Sequence, residues 1–181
     1  MKKICISFVI LMSVGTWSGV AMAKILWSCN AMTAQPAGIP IIRNKHVSSH
    51  GSVRFRAGRT GTVSLVCPVT SWSGPGYIRS LILTYRDGDG RQGPSRVVAS
   101  LRRVRLSDGH IETLRNGTTD SNQSNAINSG PRGWASHQSA RAGNVIGHVP
   151  DFNRYYYYVQ ITMTRRDAAV PIGAMGVSLM N

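Results

Sequence analysis

Residues 154–166 have the sequence RYYYYVQITMTRR, in which apolar and polar side chains alternate. Successive side chains of a β-strand point to opposite faces, so this pattern predicts a strand with one buried face. The predicted buried row is Tyr155, Tyr157, Val159, Ile161 and Met163. The opposite row is Arg154, Tyr156, Tyr158, Gln160, Thr162, Thr164 and Arg166. Only Tyr156 and Tyr158 are therefore candidates to contact a ligand, and covering a neighbouring strand is their alternative role.

Short segments with the same period recur along the chain, and no window shows sustained apolar periodicity of 3.6 residues. Turn-forming residues separate these segments, which is typical of an all-β sandwich or barrel. The predicted strands cover residues 52–57, 62–67, 77–86, 96–106, 110–115, 134–138, 144–149, 154–164 and 174–180. We therefore predict a single antiparallel β-sandwich over residues 24–181, jelly-roll-like and with little or no helix.

Four segments allow more specific predictions. Residues 77–86 are apolar on both faces, with Tyr77, Leu81, Leu83 and Tyr85 in one row, which predicts a central strand. A β-bulge at residues 102–103 would bring Val97, Ala99, Leu101, Val104 and Leu106 to one buried face. Residues 107–109, Ser-Asp-Gly, predict a hairpin turn. Residues 116–133 are almost all polar and predict a long loop, either functional or disordered.

The first 23 residues have the pattern of a secretory signal peptide. Lys2 and Lys3 precede an apolar stretch at residues 4–14, and residues 21–23, Ala-Met-Ala, form a cleavage motif. No later stretch is apolar for long enough to span a bilayer. We therefore expect a secreted or periplasmic protein without a membrane span.

The cysteines then predict a disulfide. Cys5 lies in the expected signal peptide, so Cys29 and Cys67 remain as a pair in an oxidising compartment. The alternative is a lipid anchor on Cys29, because residues 26–29, Leu-Trp-Ser-Cys, weakly resemble a lipobox. That alternative would leave Cys67 without a partner.

The charge of the chain favours polyanions as partners. The formal net charge is +14, and loss of Lys2 and Lys3 leaves +12, with 17 Arg among the 19 basic residues. Arginine forms bidentate pairs with carboxylate, sulfate and phosphate groups and stacks on flat rings. If the strands that carry them are neighbours, one basic patch would contain Arg54, Arg56, Arg102, Arg103, Arg105, Arg154 and Arg166. The alternative is an ordinary solvated surface.

Several catalytic and metal-binding chemistries lack their motifs. Counted from Asp87, an EF-hand loop would have Arg91 at position 5 and Val98 at position 12 in place of oxygen ligands. Residues 87–90, Asp-Gly-Asp-Gly, instead predict a turn, with a different type of calcium site at Asp87 and Asp89 left open. The histidines are dispersed, no G-x-S-x-G motif is present after the signal segment, and Glu112 is the single glutamate. We therefore predict no catalytic residues, no metal and no cofactor.

Several short motifs resemble a group of small exported bacterial proteins without an assigned activity. The motifs are Cys67-Pro68-Val69, Leu83-Thr84-Tyr85-Arg86-Asp87-Gly88-Asp89-Gly90, Leu101-Arg102-Arg103-Val104, and His148 with Asp151-Phe152-Asn153 and Tyr157-Tyr158-Val159. The resemblance covers roughly residue 61 to the C-terminus. It implies an exported β-sandwich and carries over no catalytic residue.

These observations favour an exported, non-enzymatic binding or envelope-associated protein for an anionic polymer or polysaccharide. The first alternative is a carbohydrate-binding module that uses Trp72 and Trp134, which lie in Gly-rich segments. Either Trp could instead close an open end of the sandwich. The second alternative is a structural subunit that associates with itself or with other exported proteins. Nucleic acid is a poor biological target for an exported protein.

Overall fold

The computed structural model describes residues 24–37, 46–49, 51–74, 76–90, 93–123, 133–138 and 145–181. These residues form two antiparallel β-sheets packed face to face, which confirms the predicted β-sandwich. The strands are β1 (Ile25–Asn30), β2 (Gln35–Pro36), β3 (His46–Ser49), β4 (Ser52–Phe55), β5 (Gly61–Val69), β6 (Ser80–Asp87), β7 (Arg96–Arg105), β8 (Ile111–Asp120), β9 (Ala135–Gln138), β10 (Tyr155–Arg165) and β11 (Ile172–Met180).

The last two strands lie in the middle of the two sheets. The six-stranded sheet has the order β3-β4-β11-β6-β9, with β1 also paired to β11, and the five-stranded sheet has the order β2-β5-β10-β7-β8. Strand β10 therefore pairs with β5 and β7, while β11 pairs with β6 on one side and with β4 and β1 on the other. Most strand pairings consequently join distant parts of the chain.

The core lies between the two sheets and follows the two-residue period. In β10, Tyr157, Val159, Ile161 and Met163 are fully buried, as the alternation predicts, and Tyr155 is half-buried. The same alternation buries one row of each neighbouring strand, namely Val63, Leu65 and Cys67 in β5 and Val97, Ala99 and Leu101 in β7. Each large apolar side chain of this kind contributes about 1.5–3 kcal/mol when it leaves water.

A disulfide joins the two sheets covalently. Cys29 in β1 and Cys67 in β5 are bonded, with their Cα atoms 6.1 Å apart. The predicted disulfide is therefore present, and the bonded Cys29 has no thiol left for a lipid anchor. In the chain-entropy model, a cross-link over a sequence separation of 38 contributes about 4 kcal/mol.

Strand β8 is longer than the sequence pattern predicts. The predicted strand ended at residue 115 and was followed by a polar loop, whereas β8 continues to Asp120. Its second half continues the backbone pairing with β7, and polar side chains also meet across the two strands, including the hydroxyls of Ser100 and Thr118 at 3.2 Å. Because these strand residues are Ser and Thr, whose hydroxyls contact each other across β7 and β8, the segment has a polar composition that is typical of a loop. Residues 124–132 of the predicted loop lie outside the described residues.

The prediction of a bulge in β7 is wrong, because the irregularity at this place lies in β8. Strand β7 pairs with β10 without interruption, while the β7–β8 register shifts between Ser100 and Arg102. The extra residues at this shift belong to β8 and include Asn116, whose φ is 57°. Since β7 keeps its alternation, Val104 is only half-buried and Leu106 is 59% exposed, in contrast to the buried positions predicted for them.

Residues 77–86 form a central strand only from Ser80 onward. Strand β6 lies between β11 and β9, and Leu81, Leu83 and Tyr85 are buried as predicted. Tyr77 precedes the strand and is exposed, so its predicted place in the buried row is wrong. The described part of the strand predicted at 144–149 is reduced to an isolated bridge between Ile78 and His148.

The two ends of the sandwich differ in chemistry. At one end of the sandwich, β10 begins and β7 ends in the five-stranded sheet, and β6 begins in the six-stranded sheet. His148 connects the two sheets here, because its backbone bridges Ile78 and its ring shares a 2.9 Å hydrogen bond with the Tyr157 hydroxyl. We call this the tyrosine end. At the opposite end, the Asp87 carboxylate at the end of β6 accepts a hydrogen bond from Ser121, which follows β8. We call this the aspartate end.

Candidate functional site

The predicted arginine patch is divided between the two sheets. Arg54 lies in β4 of the six-stranded sheet, whereas Arg102, Arg103 and Arg105 lie in β7 of the five-stranded sheet. The condition on which one patch depended, that these strands are neighbours, is therefore met by β7 and β10 but not by β4. Sequence alternation gives the face of each strand but not the order of strands in a sheet.

Three of the predicted arginines lie away from the tyrosine end. The Arg54 guanidinium lies 5.2 Å from the ring centre of Trp134, next to the start of β11. Burial lowers the pKa of Arg86, and the positive charge of Arg54 lowers it further. Arg56 and Arg166 are exposed and flank β4 and β10 at the aspartate end.

Arg102 and the two candidate tyrosines share the outer face of the five-stranded sheet. The Arg102 guanidinium donates a 2.7 Å hydrogen bond to the side chain of Gln160. The rings of Tyr156 and Tyr158 stack with their centres 6.1 Å apart. Tyr156 is 42% exposed but Tyr158 only 9%. Tyr156 therefore presents an accessible ring, while Tyr158 mainly supports it.

Arg103 is held between a carboxylate and an aromatic ring at the tyrosine end. Its Nε donates to Glu112 of β8, and its guanidinium lies 4.2 Å from the ring centre of Tyr155. This hydrogen bond lowers the pKa of Glu112. Burial disfavours the charged form of Arg103, but the contact with Glu112 outweighs it and raises the pKa of the guanidinium. Arg103 consequently fixes the position of Tyr155 and is not free surface charge.

Arg105 and Arg154 both line a surface recess. The recess has a volume of about 530 Å³ and is lined by Arg105, Leu106, Ser107, Asn153, Arg154 and Tyr155. Arg105 forms a 3.0 Å ion pair with Asp108 in which both side chains are nearly half exposed. The backbone N–H of His110 lowers the pKa of Asp108, and Arg105 adds to this effect. Exposed pairs of this kind contribute little to stability, so an incoming anion can compete for Arg105.

Two tight turns build the recess. The β7–β8 hairpin closes through hydrogen bonds between Arg105 and His110 and from the Gly109 N–H to Arg105, and Gly109 has a φ of 71°, as the predicted Ser-Asp-Gly turn requires. Facing it, the Asp151 side chain accepts the N–H of Asn153, and its carbonyl accepts the N–H of Tyr155. The Leu106 N–H donates to the Arg154 carbonyl and joins the two turns.

The sequence prediction missed the second turn. Asp151 was noted only in the resemblance, although an Asp followed two residues later by Asn is a signal for a turn closed by a side chain. Ser107, Asn153 and Tyr155 were likewise not predicted as site residues. Their role depends on β7 and β10 being neighbours, which the sequence does not show.

Buried polar contacts fix the turn at Asp151, which forms part of the recess. The Tyr157 hydroxyl contacts His148 and accepts the N–H of Asp151 at 3.1 Å. Burial, together with the nearby Arg103, lowers the pKa of His148, which favours the neutral ring. The turn that carries Arg154 is thus anchored to a core tyrosine.

The two tryptophans do not form one binding groove. Trp72 follows β5 at the tyrosine end, packs partly against the core and donates to the Gly76 carbonyl at 3.3 Å. Trp134 precedes β9, is half-buried and lies against Arg54 near the aspartate end. Because they lie at opposite ends of the sandwich, each tryptophan would have to act alone.

The Asp-Gly-Asp-Gly segment forms the predicted turn but also buries an acidic side chain. Asp87 is 1% exposed and Gly90 has a φ of 75°. Burial, and next a hydrogen bond with Asp89, raise the pKa of Asp87 to about 7. Within the described ranges, no group of three or more His, Cys, Asp or Glu side chains is arranged to hold a metal ion.

In the part of the chain that the structure describes, no helix is long and apolar enough to cross a membrane. None of the protein-family models, curated proteins or solved structures compared with this chain matches it. The resemblance to small exported bacterial proteins therefore stays an expectation.

Proposed function

We propose that this chain is an exported, non-enzymatic binding protein that holds an anionic polymer in the recess at its tyrosine end. The observation that carries the proposal is the position of Arg105 and Arg154 around a recess of about 530 Å³ whose wall includes Tyr155. Recesses of this size accommodate small organic groups. Two guanidinium groups beside an aromatic ring suit one charged sugar unit of an acidic polysaccharide or envelope polymer.

The surrounding contacts prepare the site for an anion. Arg103 already occupies one side of Tyr155, so the ring has a fixed orientation before ligand arrives. Ser107 and Asn153 supply neutral hydrogen-bonding groups at the wall. Arg105 can exchange its exposed partner Asp108 for a sulfate, phosphate or carboxylate of the polymer.

Retention on a column of immobilised heparin-like polymer tests the proposal. The test variant is Arg105→Gln/Arg154→Gln, and the matched control is Arg59→Gln/Arg166→Gln, which removes the same charge from exposed residues at the aspartate end. We expect the test variant to elute at clearly lower salt than the wild type and the control to elute close to it. Screening over roughly 8–10 Å should weaken all retention as salt rises.

Equal losses in the two variants would show that only net charge matters and would overturn the proposed site. Arg103 is not a suitable residue for charge reversal, because a glutamate there would face Glu112 and remove the cation beside Tyr155. Such a variant would change the stability of the fold together with binding. Circular dichroism of each glutamine variant confirms that the comparison is between folded proteins.

A further inference from the structure

Exposed apolar side chains are concentrated at the tyrosine end. Among the described residues, the exposed large apolar side chains are Ile25, Met32, Val47, Tyr77, Leu106, Ile111, Val149, Phe152 and Tyr156. All of these except Met32 and Val47 lie at the tyrosine end, as the strand register shows. Large apolar groups gathered on one part of a surface mark an interaction site, whereas scattered ones are ordinary.

The register places these side chains on both sheets. Ile25 pairs with Met180, whose carbonyl accepts the Arg79 N–H at the start of β6, and Tyr77 lies two residues before Arg79. In the five-stranded sheet, Val104 pairs with Ile111 on one side and Tyr156 on the other. Leu106 and Phe152 lie in the turns that close this end, and Val149 follows the His148 bridge just before the second turn. The seven therefore lie at this end of the sandwich or, for Ile111 and Tyr156, on the adjoining outer face of the five-stranded sheet, and are not a stripe along one strand.

Basic side chains lie between these apolar groups. Lys24, Arg79, Arg105 and Arg154 are exposed at the same end, and the Arg79 guanidinium lies 5.9 Å from the ring centre of Tyr77. The acidic groups here include Asp108 and Glu112, which are already paired with Arg105 and Arg103. Asp151 adds a third acidic side chain, whose carboxylate accepts the Asn153 N–H, so the basic side chains still outnumber the acidic ones at this end and would complement an anionic surface.

We propose that the tyrosine end docks on the surface of an anionic lipid bilayer. Exposed apolar side chains enter the boundary between head groups and acyl chains, and arginines bind the head-group phosphates. A bilayer is wide enough to contact side chains from both sheets at once, and it provides apolar and anionic contacts together. The inference rests on the proposed function to the extent that Arg105 and Arg154 serve both, with the recess holding an anionic group presented at a membrane.

Sedimentation with vesicles tests the proposal. Vesicles of pure phosphatidylcholine are compared with vesicles of equal parts phosphatidylcholine and phosphatidylglycerol. We expect the wild type to sediment with the anionic vesicles and to remain in solution with the neutral ones. The apolar variant Ile111→Ser/Val149→Ser, whose residues do not line the recess, should lose about tenfold or more in vesicle affinity. Its retention on the polymer column should match the wild type.

A matched control separates position from chemistry. Val47→Ser makes the same change as Val149→Ser at an exposed residue away from the tyrosine end, and it should leave vesicle binding unchanged. Failure of the wild type to bind anionic vesicles would overturn the lipid proposal, as would equal binding by the wild type and the apolar variant. A wild type that sediments in the ultracentrifuge as a dimer, with Ile111→Ser/Val149→Ser a monomer, would instead assign this end to contact between two copies. Loss of column retention in the arginine variant tests the proposed function separately from all these outcomes.

Discussion

Tyr156 and Tyr157 are neighbours in the chain and have opposite environments. Tyr157 is fully buried, and the polar partners of its hydroxyl include His148 and the backbone of Asp151. Tyr156 lies on the outer face and is 42% exposed. This difference follows directly from the two-residue period, and a pair of substitutions can measure it.

Tyr157→Ala should lower the free energy of unfolding by about 3–5 kcal/mol, because it opens a cavity and removes the partner of His148. Tyr156→Ala should cost much less. Urea denaturation followed by fluorescence gives both values. Similar losses in the two variants would contradict the assignment of rows along β10.

Tyr158 lies on the outer face of its sheet but is covered by neighbouring side chains. Alternation assigns it correctly to the outer row, yet only 9% of its surface is exposed. In the register it stands between Pro68 of β5 and Arg102 of β7, and the ring of Tyr156 stacks beside it. A residue on the outer face of a central strand is covered by its neighbours on both sides. The sequence predicts the face, but burial depends on which strands are adjacent.

At the level of elements, the irregular part of β8 depends on one residue. Asn116 adopts a φ of 57°, in the left-handed region, and its side-chain amide donates a 3.0 Å hydrogen bond to the Val145 carbonyl. Asn tolerates this backbone conformation better than other non-glycine residues do. The register shift between β7 and β8 lies at this position.

Asn116→Ala should therefore destabilise the protein by about 2 kcal/mol, since it introduces backbone strain and removes the hydrogen bond. Asn116→Gly should cost about half as much, because glycine accepts the backbone conformation. Thermal or urea unfolding of the two variants provides the comparison. An alanine variant as stable as the glycine variant would show that strain at this position is unimportant.

Local patterns in the strands and turns predicted some parts of the site and not others. The Ser-Asp-Gly hairpin and the β10 rows were predicted from local patterns, and both are present in the structure. The recess was not predicted, since it needs the turn at Asp151 to meet the end of β7. Arg105 and Arg154 were predicted from their charge and their positions on candidate strands, and only strand order shows that they line one recess while Arg54 lies in the other sheet.

For the whole molecule, the Asp87 carboxylate connects the two sheets at the aspartate end and makes stability depend on pH. Ser121, which receives the Val97 N–H at 2.9 Å, donates its hydroxyl to this buried carboxylate. Asp89, the nearest other acid, accepts the Ser95 N–H at 3.0 Å. Burial and then the contact with Asp89 raise the pKa of Asp87 to about 7. The folded protein therefore holds a proton that the unfolded chain releases near pH 4.

A raised pKa contributes stability below the unfolded value, and this contribution is lost as pH rises toward the folded value. Between about pH 4 and pH 7, the wild type should lose on the order of 2–4 kcal/mol relative to Asp87→Asn, which stays neutral and still accepts from Ser121. Urea unfolding at several pH values gives the difference, and this comparison cancels the opposite effect of His148. Parallel curves for the two proteins would contradict a protonated Asp87.

The order of strands in the sheets also determines how late in synthesis the two sheets can form. Among the described strands, those that precede β10 form four separate pairs with one another, namely β2–β5, β3–β4, β6–β9 and β7–β8. Strand β10 then joins two of these pairs into one sheet, and β11 joins the other two and adds β1. A chain that crosses a membrane N-terminus first would thus expose unpaired strand edges until residues 155–180 emerge. A ribosome that stops before β10 would therefore release a chain that cannot complete either sheet.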